Sequence, residues 1–251
     1  MKWDSALYDS RHAFVTEYGR SLAALADTRR GQKILDLGCG TGALTHELAQ
    51  NGAEVVGIDS SEEMIGRAMR RFPGLPFYHL DAVFLPFENE FDTVFSNAVF
   101  HWIPDQDTLL SSVFRSLKSG GALICEFGAK GNISTIEAAF SAAVSGAEGA
   151  YRSPFFFPSA EEYALLLAQA GFTAVQIGEF DRPTPLSGGE GGLRRWMSQF
   201  FADSLAPLSE NGAAAVLEKA EGLCRPALFK DGVWTADYRR IRAIARKDAP
   251  R

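Results

Sequence analysis

The stretch Lys33-Ile34-Leu35-Asp36-Leu37-Gly38-Cys39-Gly40-Thr41-Gly42 decides the fold. Ile34, Leu35 and Leu37 give the apolar run of a buried strand. Gly38, Gly40 and Gly42 then make a loop with no side chains in the way. Ala43-Leu44-Thr45-His46-Glu47-Leu48-Ala49 opens a helix directly afterwards. A strand, a glycine loop and a helix N-terminus in that order predict the nucleotide-binding corner of an α/β sheet.

The glycines alone leave the ligand open. Gly38-x-Gly40-x-x-Ala43 also fits the dinucleotide fingerprint, and Asp59 follows at about the twenty-residue spacing that fingerprint asks for. Asp36 separates the readings. A carboxylate at the lip of the loop repels a pyrophosphate. It attracts S-adenosylmethionine, whose sulfonium and ammonium outweigh its one carboxylate. The loop and helix N–H groups remain for that carboxylate. The alternative is that Asp36 only caps nearby backbone N–H groups.

The following segments agree with the cationic ligand. Glu54–Asp59 reads as a second buried strand ending in an acid that can accept from both ribose hydroxyls. Ser60-Ser61-Glu62-Glu63-Met64-Ile65 reads as an N-cap with an acid-rich first turn. Phe77–Leu80 is a third strand, and Asp81 just past it can accept from an adenine amino group. Phe91–Asn97 is a fourth strand with a polar end. Asp36, Asp59, Asp81 and Asn97 thus fall at or near the carboxyl ends of successive strands, the edge where open α/β sheets bind ligands.

On these residues the chain resembles the class I S-adenosylmethionine-dependent methyltransferases. The motifs are Asp36-Leu37-Gly38-Cys39-Gly40-Thr41-Gly42, Gly57–Ile65, His79-Leu80-Asp81-Ala82 and Phe91-Asp92-Thr93-Val94, and they cover roughly the first half of the chain. The resemblance implies a Rossmann-like, seven-stranded, mostly parallel sheet in order 3-2-1-4-5-7-6 with helices on both faces. It implies S-adenosyl-L-methionine as cofactor, bound by Asp36, Gly38, Gly40, Asp59, Ser60, Asp81, Ala82 and Asn97. Within that superfamily, Phe95–Asp105 together with Trp3 and Tyr8 resembles the trans-aconitate methyltransferase group, which methylates a carboxylate of a small polycarboxylic acid. His101 stands where that group would carry Gln.

Composition sets the outer bounds. A chain of 251 residues suits one α/β domain with additions. A net charge of −6 with no basic stripe argues against a nucleic-acid partner. Arg239, Arg240, Arg242, Arg246 and Lys247 alternate with apolar residues and read as a solvated strand face. No run is long enough to span a membrane, and Met1–Ser5 has no signal core. Cys39, Cys125 and Cys224 are odd in number and lack metal spacing, so no metal is expected and a reducing cytoplasm is. The expected assembly is a monomer or homodimer acting on a small-molecule acceptor.

Along the chain, Arg11–Ala26 reads as an amphipathic helix covering the cofactor cleft, within an N-terminal cover over residues 1–30. Asp105–Lys118 reads as a helix and Gly121–Phe127 as a fifth strand, with Gly120-Gly121 the turn between them. Helices follow over Ile133–Val144 and from the Ser159 cap to Ala170. Thr173–Phe180 is the sixth strand, and Gly232–Ile244 contains the last one, antiparallel beside it. Arg182–Asp231 is too long for a hairpin connection. It reads as a helical lid within one domain spanning residues 1–251, with helices over Leu193–Asp203 and Glu210–Leu223.

Methyl transfer needs alignment and exclusion of water more than activation. A carboxylate acceptor needs no base; a hydroxyl, amine or carbon acceptor does. His101 is the candidate base, with His12 and Tyr8 behind it. Arg195 or Arg194 can hold a carboxylate by a fork. Phe155, Phe156, Phe157, Trp102 and Trp196 can wall an acceptor or simply pack. The expected catalytic group is His101, Trp102 and Arg195. The leading function is methylation of a small-molecule acceptor, with a carboxylate suggested by the resemblance. The alternatives are carbon or oxygen methylation of a natural-product or quinone-like acceptor with His101 as base, and a cofactor-binding module without transfer.

Overall fold

The computed structural model describes residues 13–145 and 151–248. Trp3, Tyr8 and His12 lie outside them. The ten strands of the described residues are β1 (Lys33–Leu37), β2 (Glu54–Asp59), β3 (Phe77–His79), β4 (Phe91–Asn97), β5 (Leu117–Gly128), β6 (Thr173–Asp181), β7 (Thr184–Pro185), β8 (Phe229–Lys230), β9 (Val233–Ala236) and β10 (Arg239–Arg246). The chain divides into two compact units. Among the described residues, one holds 13–129, 158–179 and 241–248; the other holds 130–145, 151–157 and 180–240.

The first unit is built on a seven-stranded sheet of order β3-β2-β1-β4-β5-β10-β6. With β10 as the seventh large strand, this is the order 3-2-1-4-5-7-6 that the resemblance implied. β1 pairs parallel with β2 and β4, β2 with β3, and β4 with β5. β10 runs against β5: Lys247 exchanges backbone bonds with Gly120 and Gly121 near the start of β5, while Arg242 reaches Glu126 near its end. Ile34, Leu35 and Leu37 are buried because β1 lies in the middle of the sheet.

The helix Ala13–Ala23 packs on this unit through Leu22 and Ala23, which join Ile34, Leu48, Val55, Phe95 and Ile124 in one cluster. Gly19 lets it sit close, since a Cβ there would come within 2.5 Å of Leu44 and 3.0 Å of the Asn97 amide nitrogen. Ser159 begins the helix Ala160–Gln169 with a reciprocal capping box to Glu162.

One boundary differs from expectation. Gly120-Gly121 is no turn between helix and strand. β5 starts at Leu117, and its register on β4 jumps between the Phe91–Leu117 and Thr93–Ala122 pairs. The glycines form the bulge there. Gly120 has φ +79°, and a Cβ on Gly121 would meet the Lys118 and Asp92 carbonyls at 2.9 and 3.1 Å.

The second unit packs the helices Ser134–Val144, Gly192–Phe200, Ala202–Leu205 and Glu210–Leu228 with a small antiparallel sheet of order β7-β9-β8. The inserted segment is therefore not wholly helical, because Thr184–Pro185 and Phe229–Lys230 both pair with β9. The helix expected over Leu193–Asp203 breaks at Phe201, whose buried ring stacks on Phe140 at 4.2 Å. The following helix runs past the expected Leu223 to Leu228. Pro226 lies inside it and donates no backbone bond, and the helix still closes with Phe229 N–H on the Arg225 carbonyl.

Candidate functional site

The glycine loop is held from below. Both Gly38 and Cys39 donate backbone N–H bonds to the Ile58 carbonyl, at 2.8 and 2.9 Å. Gly38, Gly40 and Gly42 have φ of +78°, +55° and +81°, the left-handed region that favours glycine. Their surroundings differ. A Cβ on Gly38 would strike Val99 at 2.1 Å, while one on Gly40 meets nothing within 4 Å. The loop is thus packed at its first glycine and open at its second.

Asp36 is 2 % exposed and accepts from the Thr45 hydroxyl at 2.6 Å. Burial pushes its carboxyl up to about 7; the Thr45 bond opposes the shift and the charge on Asp59 adds to it. Asp59 accepts from the backbone N–H of Gly40 at 3.0 Å and of Ser61 at 2.9 Å. Burial raises its carboxyl too, against those two bonds and the nearby His79. Each Asp59 oxygen keeps a second lone pair for a hydroxyl donor. Asp81 caps the turn Ala82–Phe84 through Val83 N–H and is exposed, whereas Ala82 is buried. Ser60 is exposed and its carbonyl lies 3.0 Å from His79 Nε2. Asn97 is half-buried at the end of β4.

One buried and one half-buried carboxyl, Asp36 and Asp59, both biased toward protonation beside an open glycine, form a site suited to a cation. A pyrophosphate would instead meet two acids. The donor set therefore fits S-adenosylmethionine.

His101 and Trp102 follow β4 in a short turn, Phe100–Trp102. Ala98 enters it at φ +62°, costly for a residue with a Cβ. Phe100 is buried near Phe127. His101 is 7 % exposed, and its Nδ1 accepts from Gly128 N–H at 3.3 Å. In the neutral ring this bond leaves the proton on Nε2. Trp102 is half-buried, its ring 5.4 Å from that of His101.

Arg195 lies in the second unit. Its guanidinium donates to the Gly188 carbonyl and folds over Gly188 and Gly191, where side chains would collide with it. Arg194 pairs with Glu221 at 2.9 Å, and Arg225 reaches the same carboxylate at 3.1 Å. Trp196 is buried and donates to the Tyr238 hydroxyl at 2.7 Å, so it is core within its unit. Phe155, Phe156 and Phe157 are half-buried.

The solvated strand face expected near the C-terminus is corrected in part. Arg240 is 8 % exposed and lies 4.5 Å above the Tyr238 ring. Arg242 binds Glu126, itself 2 % exposed, at 2.6 Å. Alternation placed these side chains on one face but not what covers that face. Thr45, Val99 and Gly128 were also missed, since their parts depend on contacts distant in sequence.

Residues 35–125 match the family model described as "Methyltransferase domain". An uncharacterized methyltransferase of Schizosaccharomyces pombe is 33 % identical, covering 98 % of each chain. A Deinococcus radiodurans protein named trans-aconitate 2-methyltransferase is 31 % identical over 88 % of this chain and 90 % of its own. Among solved structures, the Haemonchus contortus phospholethanolamine N-methyltransferase 2, in complex with phosphomonomethylethanolamine and S-adenosylhomocysteine, aligns at TM-score 0.59. It shares 23 % identity over 94 % of this chain and 53 % of its own, a likeness of fold.

The chain belongs to the class I S-adenosylmethionine-dependent methyltransferases. It is an enzyme, and its methyl donor is S-adenosylmethionine. Among the described residues no helix is long and apolar enough to cross a membrane.

Proposed function

We propose that this methyltransferase esterifies a carboxylate of a small organic acid. The observation that carries the reading is His101: with Nδ1 accepting from Gly128, the ring is set to donate from Nε2 rather than to remove a proton. A donor suits an anionic acceptor that is already a nucleophile at neutral pH. The name carried by the Deinococcus relative supports the same class of acceptor.

The donor-side assignment is part of this proposal. Asp36 faces the cationic methionine end of the cofactor, Asp59 its ribose hydroxyls and Asp81 its adenine amino group, with Gly38, Gly40, Ser60, Ala82 and Asn97 around them. S-adenosylmethionine supplies a methyl group already activated on a sulfonium. The residues of this chain orient the acceptor, keep water out and hold charge in place. Trp102 packs against the acceptor body, and His101 donates to one of its oxygens.

The test is methyl transfer from labelled S-adenosylmethionine to a panel of dicarboxylic and tricarboxylic acids, quinones and phenols. The expected product is an acid-derived methyl ester that releases label on mild alkaline treatment. Alkali-stable label on quinones or phenols alone would overturn the carboxylate reading. Tighter binding of NAD than of S-adenosylhomocysteine would contradict the assignment of the glycine loop.

A further inference from the structure

The Gln106 side chain is set at the two ends of the turn that carries His101 and Trp102. It is 4 % exposed. Its Nε2 donates to the Phe100 carbonyl at 2.9 Å and to the Ile103 carbonyl at 2.5 Å, so one amide brackets His101 and Trp102. Its backbone N–H is taken by the Pro104 carbonyl at 3.1 Å. The side-chain Oε1 is buried and has no hydrogen-bond partner among the described residues.

That orphaned oxygen is informative. A buried unpaired acceptor costs stability, and a Met of similar shape would avoid the cost. Flipping the amide would aim the oxygen at two carbonyls, so the orientation is fixed by what Nε2 binds. The turn being held is under load: Ala98 enters it at φ +62°, and Val99 wedges against Gly38. Gly128 N–H fixes the imidazole from the other side at 3.3 Å.

We infer that Gln106 is a positioning residue for acceptor methylation: its amide clamps the Phe100–Ile103 turn and so sets the pose of His101 and Trp102. The inference rests on the reading that these two side chains meet the acceptor. Gln106 keeps the turn in one conformation before the acceptor arrives, and misplacement by about 1 Å can cost about a hundredfold in rate.

The test compares Gln106→Met with Trp102→Ala, using trans-aconitate as acceptor and S-adenosylhomocysteine as the binding probe. Gln106→Met is expected to lower kcat/KM for trans-aconitate about tenfold or more, with S-adenosylhomocysteine affinity unchanged within about twofold. Loss of activity matched by equal loss of S-adenosylhomocysteine binding would overturn the inference, since the side chain would then only hold the fold. Unchanged kcat/KM in Gln106→Met alongside a defect in Trp102→Ala would also overturn it. If no acid of the panel is methylated, or Trp102→Ala is silent on the acid that is, the acceptor reading fails instead. Gln106 is then judged by amide exchange of residues 100–103 in the free protein: faster exchange confined to that turn in Gln106→Met supports the clamp, and unchanged exchange removes it.

Discussion

The hydroxyl of Thr45 lies 2.6 Å from a carboxylate oxygen of Asp36, so the helix after the glycine loop holds the acid that precedes it. The bond favours the charged carboxyl while burial disfavours it, and the balance sits at about 7.

Cofactor binding should therefore depend on pH. Asp36 is raised from 3.8 to about 7, so the folded protein holds this proton more tightly than the unfolded chain. On account of this group, stability of the free protein falls as pH rises from about 4 to about 7. Binding of a cation favours the ionised acid, so affinity for S-adenosylmethionine should rise over the same window and level off above it. Calorimetry in buffers of different ionisation heat should detect proton release on binding below pH 7. Thr45→Val should move the rise to higher pH. A flat affinity between pH 5.5 and 8 would separate Asp36 from the cofactor.

Asp59→Ala should weaken S-adenosylhomocysteine by about 1.5–3 kcal/mol, the range for hydrogen bonds to a charged group. The change also strands the Gly40 and Ser61 N–H groups that the carboxylate now binds. Asp81→Ala should cost less, because that side chain is exposed. Normal binding by Asp59→Ala in calorimetry would show that the ribose is placed elsewhere.

If Arg195 is the carboxylate fork expected from the sequence, Arg195→Lys should raise KM for a tricarboxylate several-fold with little change in thermal stability, since an ammonium cannot reproduce the fork. Arg194→Lys should act differently. It loosens the pair with Glu221, so thermal unfolding, not KM, should report it. If Arg195→Lys leaves KM untouched, the guanidinium only braces Gly188.

His101→Ala should reduce kcat only modestly on an acid acceptor. A drop of about a thousandfold, within the usual span for losing general base catalysis, would instead favour a hydroxyl or carbon acceptor.

The half of the chain that carries the proposed donor site was legible because its determinants are local. Asp36 and the glycines are one decapeptide, and Asp59 ends the next strand, so period and spacing were enough to place them. The sheet order came with the family resemblance. The proposed acceptor side was harder to read. His101 accepts from Gly128, distant in sequence, and the orientation of Gln106 is set by the Phe100 and Ile103 carbonyls that flank His101 and Trp102. Arg240 read as surface because alternation cannot reveal the Tyr238 ring that lies under it. The Gly120-Gly121 pair misled for a related reason: a bulge and a turn share the same residues, and only the partner strand tells them apart.

Gly38 and Val99 interlock, since a Cβ on the first would lie 2.1 Å from a methyl carbon of the second. The contact ties the donor loop to the turn after β4, and with it two stretches of chain that would otherwise vary separately. Chimeras that exchange one of them between homologues should fail whenever the incoming bulk differs. Both must be inherited from one parent, or altered in the same step, for loop and turn to stay packed.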